Sequence, residues 1–181
     1  MSKGAETKNT ILKVAFELIY ANGYQATSID EILKRTHVTK GSFFHHFKNK
    51  DEMGLIMIKE VMYPGMYASM VKPLLAGKDP IQEIFTMMKG LLTNDQFFNV
   101  KYGCPAINLI DEMAPLNPAF NKALSKLTKD WQKAIERSLQ KAASTGQISQ
   151  DTDAKAAAIF IMSGYGGIRN LGKIYGKSCY K

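Results

Sequence analysis

Residues 27–50 read TSIDEILKRTHVTKGSFFHHFKNK, and this stretch decides the fold. Ile29, Ile32 and Leu33 stand at the i, i+3, i+4 spacing of one helix face. Thr27 or Ser28 can cap that helix, because a hydroxyl accepts a bond from an otherwise unpaired backbone N–H. Thr36-His37-Val38 breaks the pattern, and Thr39 is a second cap candidate. Lys40-Gly41-Ser42 then opens another helix with small and polar residues, which can approach a nucleic-acid surface closely. Phe43 and Phe47, at i, i+4, pin this second helix to a core. Residues 34–50 carry five Lys/Arg, three His and no Asp or Glu. Two short helices, a tight turn and an unopposed basic exit make a helix-turn-helix that sets one helix in the DNA major groove.

Composition agrees but does not localise the function. The 181 residues carry a net charge of +8 and an apolar fraction of 45%, enough for a real core and suited to an anionic partner. Residues 1–60 contribute only +2 and residues 61–181 contribute +6, so net charge alone points to the wrong half. Two cysteines, Cys104 and Cys179, do not make a disulfide framework and suit a reducing cytoplasm. There is no signal-peptide pattern and no apolar run long enough to span a membrane, so a cytoplasmic protein without a membrane partner is expected.

The rest of the chain reads as helices. A polar arm is expected over residues 1–5, then a helix from Glu6 to Ala21 closed by Asn22-Gly23, after which Tyr24 folds back under the domain. A helix starting at Asn49 or Lys50, with Asp51 and Glu52 in its first turn, meets Pro64-Gly65, which should kink or break it. Asp79 and Pro80 start the next helix, and a polar-aromatic loop spans residues 93–102. A short helix follows Gly103-Cys104-Pro105. Asn117 caps a long one from Pro118 to Ser144, and a last one runs from Asp153 to Ile174. No strand pattern competes, so the chain is expected to be all-α, with eight to ten helices.

Ala15-Phe16, Gly23-Tyr24, Thr27-Ser28-Ile29, Ile32, Val38, Gly41, Phe43, His46-Phe47 and Lys50 form a spaced signature. In it the first fifty or so residues resemble the tetracycline-repressor (TetR/AcrR) family of bacterial transcription regulators. The resemblance implies an N-terminal three-helix helix-turn-helix DNA-binding domain, residues 1–49. A larger helical ligand-binding and dimerisation domain, residues 50–181, would follow. It also implies a homodimer that represses from an inverted-repeat operator on double-stranded DNA and is released when a small-molecule effector alters the spacing of its two heads. Positions matching the family's DNA contacts are Thr27, Thr39, Lys40, Ser42, His46 and Lys50. The family's usual Tyr is Phe44 here, which cannot donate a phosphate bond, so His45 or Lys48 must substitute or operator affinity falls. Pro105, Asn108 and Glu112 in GCPAINLIDEMA are similar to a subgroup of the family's regulatory domains.

From the residues themselves, Lys40, Lys48 and Lys50 are placed on phosphates, and Thr39, Lys40, Ser42 and His45 at base edges. No metal or cofactor is implied. His37, His45 and His46 lack partners at ligand spacing, and adjacent Asp111 and Glu112 diverge on their helix rather than pairing for acid–base work. With no nucleotide loop or hydrolase motif, an enzyme is not expected. Met88, Tyr102, Cys104, Asn108, Trp131 and Tyr165 are the candidate effector-pocket residues, with ordinary core packing the competing reading. Gly164, Gly167 and Leu171 at i, i+3, i+7, with Leu127 and Trp131 on the preceding helix, suggest a two-helix dimer face. Two alternatives stay open: a redox or electrophile sensor built on Cys104 at a helix start, and a small-molecule-binding helical protein that does not bind DNA.

Overall fold

The computed structural model describes residues 3–94 and 97–180, so the arm expected at 1–5 and the loop expected at 93–102 lie partly outside the described residues. Among the described residues there are nine α-helices and no strand. They are α1 (Lys3–Asn22), α2 (Ile29–Thr36), α3 (Lys40–His46), α4 (Lys50–Met57) and α5 (Tyr63–Met70). After them come α6 (Pro80–Thr93), α7 (Pro105–Met113), α8 (Pro118–Ser144) and α9 (Ala154–Tyr175). The chain forms two compact units, residues 1–64 with 108–124, and residues 65–107 with 125–181.

In the first unit α1 packs against α2, α3 and α4. Its buried side is Ile11, Leu12, Ala15, Leu18 and Ile19, an apolar stripe at helical spacing. Gly23, at φ +95°, ends α1 in the left-handed region and donates its N–H to the Ile19 carbonyl at 2.8 Å. Lys3, Gly4 and Ala5, expected in the arm, instead form the first turn of α1.

Each recognition element is capped from the sequence. Ser28 Oγ accepts the Glu31 N–H at 3.1 Å to start α2, and Thr39 Oγ1 accepts the Ser42 N–H at 3.2 Å to start α3. Between them His37 takes a left-handed φ of 56°, which turns the chain sharply out of α2. Asn49 Oδ1 accepts the Glu52 N–H at 2.8 Å, and Glu52 returns a carboxylate oxygen to the Lys48 N–H at 2.6 Å.

Of the kink or break expected at Pro64, the structure shows a local distortion and no break. Between α4 and α5 the backbone passes through a π-helical turn, Ile58–Met62, and the Tyr63 N–H reaches back five residues to the Ile58 carbonyl. Proline lacks an N–H and crowds the carbonyl four residues earlier; slipping the bond ladder by one residue absorbs both faults without a break.

In the second unit, Ile84, Met87 and Leu91 of α6, Ile135 and Leu139 of α8, and Ala158 and Tyr165 of α9 are buried. Asp79 caps α6 through the Gln82 N–H at 3.1 Å, as expected for Asp-Pro. Leu127 and Trp131, placed on a dimer face by their spacing, are already 3% and 6% exposed in the single chain. The Trp131 ring meets Tyr165 of α9 edge-on at 5.4 Å, so this side of α8 faces the chain's own interior.

Candidate nucleic-acid interface

Helix α3 is divided sharply between core and surface. Phe43 and Phe47 are 0% and 1% exposed, so the helix cannot turn over. That fixes Thr39, Lys40, Phe44, His45 and Lys48 on the outside, with Ser42 and His46 half-buried at the margin. Phe44 stands edge-on to Phe43 at 5.4 Å and is 47% exposed, an apolar ring on an otherwise polar face. Among the described residues, Lys34, Lys40 and Lys48 enter no ion pair; Arg35 pairs with Glu17 at 3.2 Å on an open surface, where such a pair is worth little. The α3 side of the unit therefore offers full positive charges beside short hydroxyls, the pattern that grips phosphates and reads base edges.

Two expected contact residues are used inside the unit. Thr27 is fully buried, and its hydroxyl donates to the Gly23 carbonyl at 2.7 Å. The Lys50 ammonium donates to the carbonyls of Tyr24 and Thr27, both at 2.9 Å, and lies 4.5 Å from the Tyr24 ring centre. A lysine has three N–H donors, so one remains for an anion.

The segment Gly23–Thr27 is held from the other side by residues far along the chain. Glu112 of α7 accepts the Tyr24 N–H on Oε2 at 2.8 Å and the Gln25 N–H on Oε1 at 2.6 Å. The Tyr24 hydroxyl donates to Asp51 at 2.6 Å, and Asn117 donates to the other Asp51 oxygen at 3.2 Å. Burial, then the bond to Asp51, then the Asp51 and Glu112 charges hold the Tyr24 phenol far above its ordinary range, so it stays a donor. Phe120 of α8 meets the Tyr24 ring at 5.0 Å. Gly54 makes room for both rings: a Cβ there would stand 2.8 Å from Tyr24 and 2.9 Å from Phe120. In the sequence Glu112 stands out only as part of a family-like segment and as a divergent neighbour of Asp111. Its hold on two backbone N–H groups, 88 and 87 residues away, has no local signature.

Tyr165 links three of the expected pocket residues to one another: its ring meets Trp131 edge-on, its hydroxyl bonds the Cys104 thiol, and it shares a groove with Met88. Met88 and Tyr165 line an open, almost wholly apolar groove of about 430 Å³ with Ile84, Phe85, Phe160 and Ile168. Cys104 and Trp131 are buried in the second unit, and Tyr102 is half-buried there. Asn108 belongs to the first unit. Gly164, Gly167 and Leu171, expected at the dimer face, are exposed on α9, together with Ile159, Phe160, Ile174 and Tyr175. Burial pushes the Cys104 thiol up, against smaller opposing effects of the Ile107 N–H, the Tyr165 hydroxyl, the Ala106 N–H and the Arg169 charge. A buried, protonated thiol is a poor nucleophile, so the thiol-sensor alternative is not favoured. Among the described residues no group of three His, Cys, Asp or Glu could hold a metal ion, and no helix is long and apolar enough to cross a membrane.

Residues 11–55 match the model for bacterial regulatory proteins of the tetR family, and residues 77–180 match the tetracyclin repressor-like C-terminal domain. The chain belongs to the tetR family, and it is a DNA-binding transcriptional regulator. It is 30% identical to the transcriptional regulator AcuR of Cereibacter sphaeroides over 87% of this chain and 72% of that one. It is 32% identical to an uncharacterized HTH-type transcriptional regulator of Lactococcus lactis over 74% of this chain and 68% of that one. A crystal structure of the regulatory protein TetR from Rhodobacter sphaeroides superposes with a TM-score of 0.80 at 27% identity, covering 92% of this chain and 88% of that one.

Proposed function

We propose that the protein is a homodimeric, ligand-responsive repressor in the cytoplasm, with no catalytic role. Residues 1–49 read the operator, and residues 50–181 carry the effector site and the dimer contact. The observation that carries this reading is the locked orientation of α3. Buried Phe43 and Phe47 leave Thr39, Lys40, Phe44, His45 and Lys48 no direction but outward. Lys40 and Lys48, with the third Lys50 donor, neutralise phosphates, while Thr39, Ser42, His45 and His46 meet base edges or the backbone beside them. Thr27 acts through the fold, by fixing the turn that precedes α2.

Exposed apolar side chains on α9 support dimerisation through that helix: Phe160 is 79% exposed, Ile174 77%, Tyr175 62% and Leu171 45%. Two such heads on a two-fold axis read an inverted repeat with half-sites about 34–36 Å apart or somewhat more. The effector shifts the equilibrium between head spacings only by binding one of them better. A gel shift with DNA upstream of the gene tests the reading. Binding that weakens with salt and with Lys40→Ala supports it; failure to retard any promoter fragment at low salt removes it.

A further inference from the structure

The peptide group that joins Tyr24 to Gln25 is gripped at both ends by charged side chains of the first unit. Its N–H donates to Glu112 Oε1 at 2.6 Å, and its carbonyl accepts from the Lys50 ammonium at 2.9 Å. The positive end of the peptide dipole thus faces the carboxylate, and the negative end faces the cation. The other oxygen of Glu112 takes the Tyr24 N–H at 2.8 Å, and a second Lys50 hydrogen goes to the Thr27 carbonyl at 2.9 Å. Among the described residues Glu112 and Lys50 form no direct ion pair, so they act on each other through this turn. Gly23 leaves room for the clamp. Its φ is +95°, and a Cβ there would stand 3.3 Å from Glu112 Oε2.

A lysine at the surface ordinarily keeps a mobile ammonium, and ordering it on binding costs affinity. Here the Tyr24 and Thr27 carbonyls take two of the Lys50 hydrogens and so fix the direction of the third. Both carbonyls belong to the turn whose Tyr24 and Gln25 N–H groups are held by half-buried Glu112. We infer that Glu112 is a positioning residue for operator binding: by clamping the Tyr24–Gln25 peptide it seats the Lys50 ammonium where its third donor meets a DNA phosphate. Glu112 acts through Lys50 and makes no contact with DNA itself. By charge alone, removing a carboxylate from a DNA-binding unit should tighten its hold on a polyanion. The positioning role reverses that sign, because the carboxylate presets a cation. The inference rests on the reading of Lys50 as a phosphate contact.

The test uses the full chain and the upstream promoter fragment, with affinity followed by fluorescence anisotropy over a salt series. Wild type, Lys50→Met, Glu112→Ala and the double variant form a cycle. Glu112→Ala should bind the operator about tenfold or more weakly, and its salt slope should fall by up to about two, one phosphate contact per head, as that of Lys50→Met does. In the Lys50→Met background Glu112→Ala should cost less than about threefold, since the contact it positions is already gone. Glu112→Gln, which keeps one acceptor oxygen, should lie between wild type and alanine. Circular dichroism checks folding, and the glutamine variant carries the test if the alanine variant does not fold. A wild-type slope in Lys50→Met would show that Lys50 meets no phosphate, and the inference would fall with that reading. Where Lys50→Met does lower the slope, three results overturn the inference and leave the role of Lys50 standing. They are binding by the Glu112 variant as tight as wild type or tighter, a loss of affinity at an unchanged slope, and an equal loss in both backgrounds. The last would mark Glu112 as a support of the whole head.

Discussion

Removing the Glu112 carboxylate should loosen the turn on which the DNA-reading helices are mounted. In Glu112→Ala the Tyr24 and Gln25 N–H groups lose acceptors at 2.8 and 2.6 Å. Hydrogen bonds to a charged group contribute about 1.5–3 kcal/mol each. The Gln25 bond is exposed and can be replaced by water, whereas the Tyr24 bond is part-buried. The expected cost is therefore nearer one full bond than two, about 2–3 kcal/mol. With two compact units a single global melting curve is a poor readout. Native-state hydrogen exchange reads the two amides directly, and 2 kcal/mol corresponds to about 30-fold faster exchange where opening is local. Glu112→Gln keeps one acceptor oxygen but turns an NH2 toward a donor, so it should lie between wild type and alanine. Unchanged exchange at the part-buried Tyr24 amide in Glu112→Ala would show that the carboxylate does not hold this turn.

Phe44→Tyr adds a phenol to an exposed ring on the reading face, and it should tighten operator binding about tenfold through one phosphate bond; fluorescence anisotropy checks it, and unchanged affinity would mean that Phe44 does not face the backbone. Lys50→Met removes a donor to the Tyr24 and Thr27 carbonyls, and should lower the denaturation midpoint of the head. It should also reduce the salt slope of DNA binding by at most about two, the share of one phosphate contact per head of the dimer. Cys104 should resist iodoacetamide at pH 7.5 in the folded protein and react after unfolding, while Cys179, half-buried, reacts first; mass spectrometry separates the two. Because burial raises the folded-state pKa of Cys104, the folded chain holds that proton longer than the unfolded one. Its contribution is complete below the ordinary thiol value of about 8.5 and is lost as pH rises above it, so Cys104→Ala should flatten the alkaline decline in stability.

The helices and their starts were legible because their signals are local. Ser28, Thr39, Asn49 and Asp79 each cap a helix within three residues, and the stripe of α1 lies on one face. Features that are not local leave weaker signals. Pro64 signals a kink or break, but not the π-helical turn over the five residues before Tyr63 that absorbs it. Thr27 and Ser28 look equivalent as caps, and only the Gly23 carbonyl above Thr27 turns its hydroxyl inward. Leu127 and Trp131 form an apolar ridge whose partner cannot be read from spacing, and burial within the chain assigns it. Glu112 and Arg169 carry the most long-range information, since each bonds backbone groups at least 66 residues away. A charged residue on a helix otherwise reads as solvated.

We propose that a rigidly held α3 presents its basic and hydroxyl side chains to operator DNA. The most direct test is the salt dependence of binding to the upstream promoter fragment, for wild type and for Lys40→Ala/Lys48→Ala. For a dimer making some 6–10 phosphate contacts, log K should fall with log[salt] at a slope of about −5 to −9. The double variant, which removes two charges per head, should reduce that slope by up to about four. A slope unchanged in the variant, or promoter binding no tighter than to unrelated DNA, would contradict the account.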